Sequence, residues 1–212
     1  MTPTSLYALQ IAVSELGGGN AQHIHQYLRT AWEGQDRVYH SVQHLEECLE
    51  LAQAWGRDLT RQEYAALVLA LWFHDAVYDT RRADNERVSA ELAYQLLAKV
   101  GVVSPWCERI RDLVLATEHS ASPPAGDALT DLMLDIDLAI LGAAPERFEQ
   151  YQQQVRREYS WVAEADYAKG RRQVLAYFSA RTAEPSADLY RTFAGRQRLP
   201  QARINLSRAL AE

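Results

Sequence analysis

Nine consecutive apolar residues, Ala65 to Phe73, run directly into a histidine and an aspartate, His74 and Asp75. The run is far short of the about 20 apolar residues that a helix needs to cross a bilayer. It also lacks the alternation that would leave one face in water. A helix that is apolar on every side is stable only when other elements surround it, so the chain must build a bundle around this segment. The polar pair at its end then needs partners, because a polar group buried alone costs several kcal/mol and a lone charge far more.

The rest of the chain reads the same way. Leucine and alanine recur at spacings of three and four, alternating β-branched runs are missing, and an all-α fold is expected. Helices are expected near residues 5–16, 20–33, 41–55, 61–73, 84–100, 104–119, 127–141, 145–159, 164–181, 186–193 and 200–210. Gly17-Gly18-Gly19 stops the first and Asn20 caps the second. Thr60 and Glu63 form the S/T-x-x-E capping pattern ahead of the apolar run. Pro105 suits a first helical turn, and Pro123-Pro124 marks a loop over residues 120–126. No repeat, low-complexity tract or linker interrupts the 212 residues, so a single domain is expected, with its motifs between about 37 and 142 and helices from 145 to 212 packed on them.

A net charge of −6 argues against nucleic-acid binding, which needs a basic stripe to displace counterions. A small substrate is easier to accommodate. Cys48 and Cys107 show no CxxC spacing, so reduced, buried thiols are expected rather than a zinc knuckle or disulfides. With no membrane span and no basic-then-apolar leader, a cytoplasmic location is expected.

His40 and His44 are four apart, so on a helix they share one face. An HExxH zinc site is excluded, since no glutamate follows the first histidine. His74 and Asp75 cannot share a helical face, but both reach one ion if the helix ends there. Imidazole with carboxylate favours manganese, iron, cobalt, nickel or zinc, with magnesium as the remaining candidate. Two aspartates compete to join them. Asp135 and Asp137 would point about 200° apart on a helix, so one is a ligand and the other a cap, an acceptor behind the ligands or a surface residue.

The segments Arg37-Val-Tyr-His-Ser-Val-Gln-His44, Trp72-Phe-His-Asp-Ala-Val-Tyr-Asp79, Asp84-Asn-Glu-Arg-Val-Ser-Ala90 and Leu134-Asp-Ile-Asp-Leu-Ala-Ile-Leu-Gly142 together resemble the HD-domain metal-dependent phosphohydrolases. The resemblance implies an HD-type helical bundle with a divalent metal held by His44, His74, Asp75 and Asp137. Tyr39-His40-x-x-x-His44 is similar to the Tyr-His-Asn-x-x-His segment of cyclic-nucleotide phosphodiesterases, which implies that His40 protonates the leaving oxygen. Ser41 replaces the asparagine, so cyclic-nucleotide specificity does not carry over. The resemblance further implies Asp79 as a catalytic-site carboxylate, and Glu86 and His119 as residues that contact substrate or support the ligands. Asn85-Glu86 stands where two-metal members have another histidine. The expected activity is hydrolysis of a phosphoester of a nucleotide or other small phosphorylated metabolite by metal-activated water. Alternatives are a regulatory module that binds metal and nucleotide without turnover, and an oxidative enzyme with two irons.

Overall fold

The computed structural model describes residues 3–118, 127–183 and 187–211. All regular structure among the described residues is helical, as the leucine and alanine spacing predicts. None of these helices is long and apolar enough to cross a membrane. The chain divides into two compact units, Met1–Met133 and Leu134–Glu212. The division falls inside α7 (Ala128–Asp137), where no shift in composition marks it.

The first unit is arranged around its fourth helix. It contains α1 (Pro3–Glu15), α2 (Gln22–Trp32), α3 (Val42–Trp55), α4 (Arg61–Phe73), α5 (Asn85–Lys99) and α6 (Ser104–Ala116). Helices α1, α3, α5 and α6 pack on α4, and every residue from Ala65 to Phe73 is buried. The helix starts where the capping pattern puts it. The Thr60 hydroxyl accepts the Glu63 N–H at 3.2 Å, and the Glu63 carboxylate accepts the Thr60 N–H at 2.9 Å. The Thr60 hydroxyl also donates to that carboxylate at 2.7 Å, and this bond, with the one from the Thr60 N–H, holds the Glu63 carboxyl below its ordinary pKa.

Gly17 ends α1 with φ +85°, a left-handed conformation open to glycine without strain. The backbone then crosses to the end of α5, with the Gly19 N–H on the Val100 carbonyl at 2.7 Å and the Val103 N–H on that of Leu16 at 3.2 Å. Asn20 accepts the Gln22 N–H at 2.8 Å, but the cap position itself is Ala21. Helix α6 stops at Ala116, earlier than expected, where the Thr117 hydroxyl turns back to the Val114 carbonyl at 2.7 Å. The loop expected at 120–126 lies outside the described residues.

The second unit begins with the last turn of α7 and a 3₁₀ turn, Leu138–Gly142. It continues through α8 (Pro145–Glu158), α9 (Glu164–Ala180), α10 (Phe193–Arg196) and α11 (Leu199–Ala211). Helix α11 packs on α9 and on the 3₁₀ turn, where the Asn205 amide donates to the carbonyls of Leu141 and Ala143, both at 2.9 Å. One expected helix is corrected. Residues 187–192 are not helical, and only the single turn α10 follows them. The reason is Asp135, whose buried carboxylate accepts the N–H groups of Arg191 at 2.9 Å and Thr192 at 2.8 Å and the Thr192 hydroxyl at 2.6 Å. An aspartate that satisfies consecutive main-chain donors holds the chain extended past it. A Cβ on Gly195 would collide with the same carboxylate, so the close approach requires glycine there. Tyr190, also buried, donates its hydroxyl to the Leu138 carbonyl at 3.0 Å, and burial raises its pKa.

A candidate metal centre

Helix α4 delivers His74 and Asp75 to its own end. Phe73 is its last residue, and His74 keeps right-handed helical backbone angles while Asp75 turns away, with the Ala76 N–H closing on the Phe73 carbonyl at 2.9 Å. The end of the helix is what lets neighbouring residues face one point. Helix α3 brings His44 to the same place. His44 Nε2 lies 3.2 Å from His74 Nε2 and 3.8 Å from Asp75 Oδ2, and His74 Nε2 lies 3.1 Å from Asp75 Oδ2. All three ligand atoms fall within 4.8 Å of one another, so the group could hold a metal ion.

The protonation pattern makes the case sharper. His74 Nδ1 lies 2.8 Å from the Leu71 carbonyl, which accepts only, so Nδ1 carries the proton and a neutral ring presents a lone pair at Nε2. That lone pair faces a carboxylate oxygen and a second imidazole. Two acceptors at 3.1 Å are reconciled by a proton held between them or by a cation. Ring nitrogens about 2.1 Å from a common ion stand about 3.0 Å apart in octahedral and about 3.4 Å apart in tetrahedral geometry. The 3.2 Å between His44 and His74 sits within that range, while the His44 to Asp75 separation is somewhat wider. A backbone carbonyl fixing the distal nitrogen is the usual support of a metal-binding histidine. Residues and ion therefore fit.

The surroundings are aromatic and apolar. The Trp32 ring centroid lies 5.5 Å from that of His74 and 6.4 Å from that of His44. The buried Cys48 thiol stands 3.7 Å from His44 Nδ1, one turn along α3. His40 is beside the cluster but not on the helix. It occupies the turn before α3, which starts at Val42, so its four-residue spacing to His44 does not put the two on one helical face. The two rings are nonetheless 6.0 Å apart, and His40 stacks on Tyr78 at 3.9 Å.

Arg37 spans this region. Its guanidinium donates to the carbonyls of His40 at 3.1 Å, Asp75 at 2.6 Å and Ala76 at 3.1 Å. The segment after Asp75 is braced from α5. The Ser89 hydroxyl bonds both the N–H and the carbonyl of Val77, at 3.0 and 3.2 Å. The Asn85 amide does the same for Asp79, at 3.1 and 2.9 Å.

The other expected residues, and the arginines and histidines near them in sequence, are placed as follows. Asp79 is exposed, and its carboxylate accepts the Arg81 N–H at 2.9 Å. Glu86 is half-buried in the first turn of α5. Asp137 ends α7 in the second unit and is half-buried. Asp135 is a fully buried main-chain acceptor, not a surface residue. His119 lies outside the described residues. Arg82 and Arg87 both pair with Asp84, at 2.7 Å. His23 is exposed, but His25 is half-buried against Trp72, at 5.8 Å between rings, and burial lowers its pKa.

Arg37, Tyr78, Asn85 and Ser89 carry the site's supporting contacts, although the sequence names none of them as a site residue. The four-residue spacing of Asn85 and Ser89 on one helical face was the available signal. Compared with known proteins, the chain matches no family model, no curated protein and no solved structure.

Proposed function

We propose that the chain is a metal-dependent phosphohydrolase of the HD type, acting on a nucleotide or another small phosphorylated metabolite. The observation that carries the reading is the meeting of His44, His74 and Asp75 at one point, with the His74 ring fixed by the Leu71 carbonyl. Imidazoles outnumber carboxylates among these donors, which favours manganese, iron, cobalt, nickel or zinc over magnesium. A bound divalent ion would lower the pKa of water enough to supply a nucleophile at neutral pH and would polarise the phosphoryl oxygens. The chain's own residues do the rest. His44 and His74 offer lone pairs from buried rings, and Asp75 supplies the negative charge. His40, beside the cluster and stacked on Tyr78, donates a proton to the departing alkoxide.

The test is a panel of phosphomonoesters and phosphodiesters assayed with manganese, cobalt, nickel, zinc and magnesium, together with thermal unfolding in each metal. An ion at 100 times its dissociation constant adds about 2.7 kcal/mol to stability. His74→Ala should lose both the metal-dependent shift and the turnover. The same titration on Asp137→Ala tests the fourth ligand expected from the sequence. Full activity in metal-stripped protein overturns the reading. A phosphorylated ligand that stabilises the protein and is never consumed makes it a sensor instead.

A further inference from the structure

We infer that Arg37 is a positioning residue for the reaction proposed above, locking the His40 main chain onto the turn at Asp75 and Ala76 and so setting where the His40 imidazole stands relative to His44, His74 and Asp75. The catalytic half of this inference rests on the phosphohydrolase reading; the geometric half does not.

Three carbonyls from two separate segments converge on one guanidinium. One Arg37 terminal nitrogen donates to His40 O and Asp75 O, and the other to Ala76 O. The guanidinium carbon also stands 5.4 Å from the Trp32 ring centroid and 5.7 Å from that of Tyr78. Only a planar, multiply donating cation satisfies this arrangement. A lysine ammonium offers one point of charge and no fork. The main chains carrying the metal-ligand turn and the proton donor thereby share a bridge.

The two sides of the bridge are not equally dependent on it. The turn after His74 is also held by the Ala76 N–H on Phe73, by Ser89 on Val77 and by Asn85 on Asp79. That turn keeps its shape without Arg37. His40 is linked to it through Arg37 and through the stack on Tyr78, a residue of the same turn. Losing the guanidinium therefore removes the hydrogen bonds that tie the His40 main chain to this turn, while the turn keeps its own bonds, and His40 is the side expected to shift. A misplacement of about 1 Å in a group that acts on the reacting atoms costs about 100-fold in rate.

The experiment compares Arg37→Ala, Arg37→Lys, His40→Ala and the Arg37→Ala/His40→Ala double variant on the best phosphoester and metal from the panel. Arg37→Ala should lower kcat about 100-fold with KM and metal affinity little changed, and guanidinium ion in solution should restore part of the loss. Arg37→Lys, which keeps charge and bulk, should be nearly as slow. Arg37→Ala should have no further effect once His40 is gone, because it acts through His40. An equal loss in both backgrounds overturns the proposal, as does full turnover by Arg37→Ala. A second readout needs no turnover: the His40 ring protons should carry an upfield shift from the Tyr78 stack, which Arg37→Ala should remove. An unchanged shift overturns the clamp. If the shift is lost while the unmodified protein turns over no phosphoester, the clamp stands and the reaction falls.

Discussion

The indole N–H of Trp32 donates to the main-chain carbonyl of Trp72 at 3.0 Å, and neither residue exposes any surface. Trp72 is in the last turn of α4, where carbonyls lack partners within the helix. Helix α2 thus completes the end of α4 and supplies the aromatic wall beside His44 and His74. Trp32→Phe keeps an aromatic side chain but removes the donor and leaves a smaller ring in a buried site. A buried carbonyl left unpaired costs about 1–3 kcal/mol, so the variant should unfold at correspondingly lower denaturant with an unchanged slope. Equal midpoints for the two proteins would show that the bond contributes nothing.

Asp135 gives a similar test in the second unit. Asp135→Asn keeps the shape but places an amide donor among the N–H groups of Arg191 and Thr192 and the Thr192 hydroxyl. Each hydrogen bond to a buried charge contributes about 1.5–3 kcal/mol, so a loss of about 3 kcal/mol or more is expected in equilibrium unfolding. Hydrogen exchange at the Arg191 and Thr192 amides should accelerate in the variant. Unaltered exchange would count against Asp135 as the group that orders residues 187–192.

The capping box of α4 has a pH signature. Its hydrogen bonds to Thr60 depress the Glu63 carboxyl relative to its ordinary 4.5. A depressed folded-state pKa adds stability that is complete above the unfolded value and is lost as the pH falls through the folded one. Thr60→Ala should cost about 1 kcal/mol near neutrality. The gap to the unmodified protein should narrow as the pH drops below 4.5. Denaturant titrations at neutral and acid pH check the sign, and a gap that widens in acid contradicts it.

His40 and the ligands should separate in their effects. His40→Ala is expected to lower kcat by about 10²–10⁴ while the metal titration stays unchanged, the behaviour of a general acid outside the coordination sphere. His44→Ala should instead abolish the metal-dependent rise in melting temperature. Loss of metal affinity in His40→Ala would reassign that residue to the ligand set.

Legibility differed from element to element for physical reasons. Helix α4 was readable in full, because its cap is a local pattern and its all-round apolarity demands burial. The stretch at 187–192 was not readable, because what holds it is an aspartate more than fifty residues earlier, a partnership no local pattern encodes. His40 stands just ahead of the helix expected from residue 41, and its relation to His44 was legible only in part. The spacing to His44 is helical, but the extended backbone at Ser41 starts the helix only after it. The pairing of His44 with the His74-Asp75 doublet was legible from residue types. The Leu71 carbonyl that fixes the His74 ring was not, since every residue has a carbonyl and only the fold decides which one a ring meets.

The unequal burial of Asp75, His44 and His74 would set an order of events if the cluster takes up a metal ion. Asp75 is 13 % exposed, against 3 % for His44 and 1 % for His74. A hydrated cation arriving from solvent would meet a carboxylate oxygen before either imidazole, and a carboxylate accepts hard and borderline ions alike. Selection would then fall to a second stage, in which the ion must shed its remaining water to reach two buried nitrogens. Ions that give up water slowly, magnesium above all, would be held back there. Burial of this kind would sort metals by how readily they dehydrate, as well as by how tightly they bind.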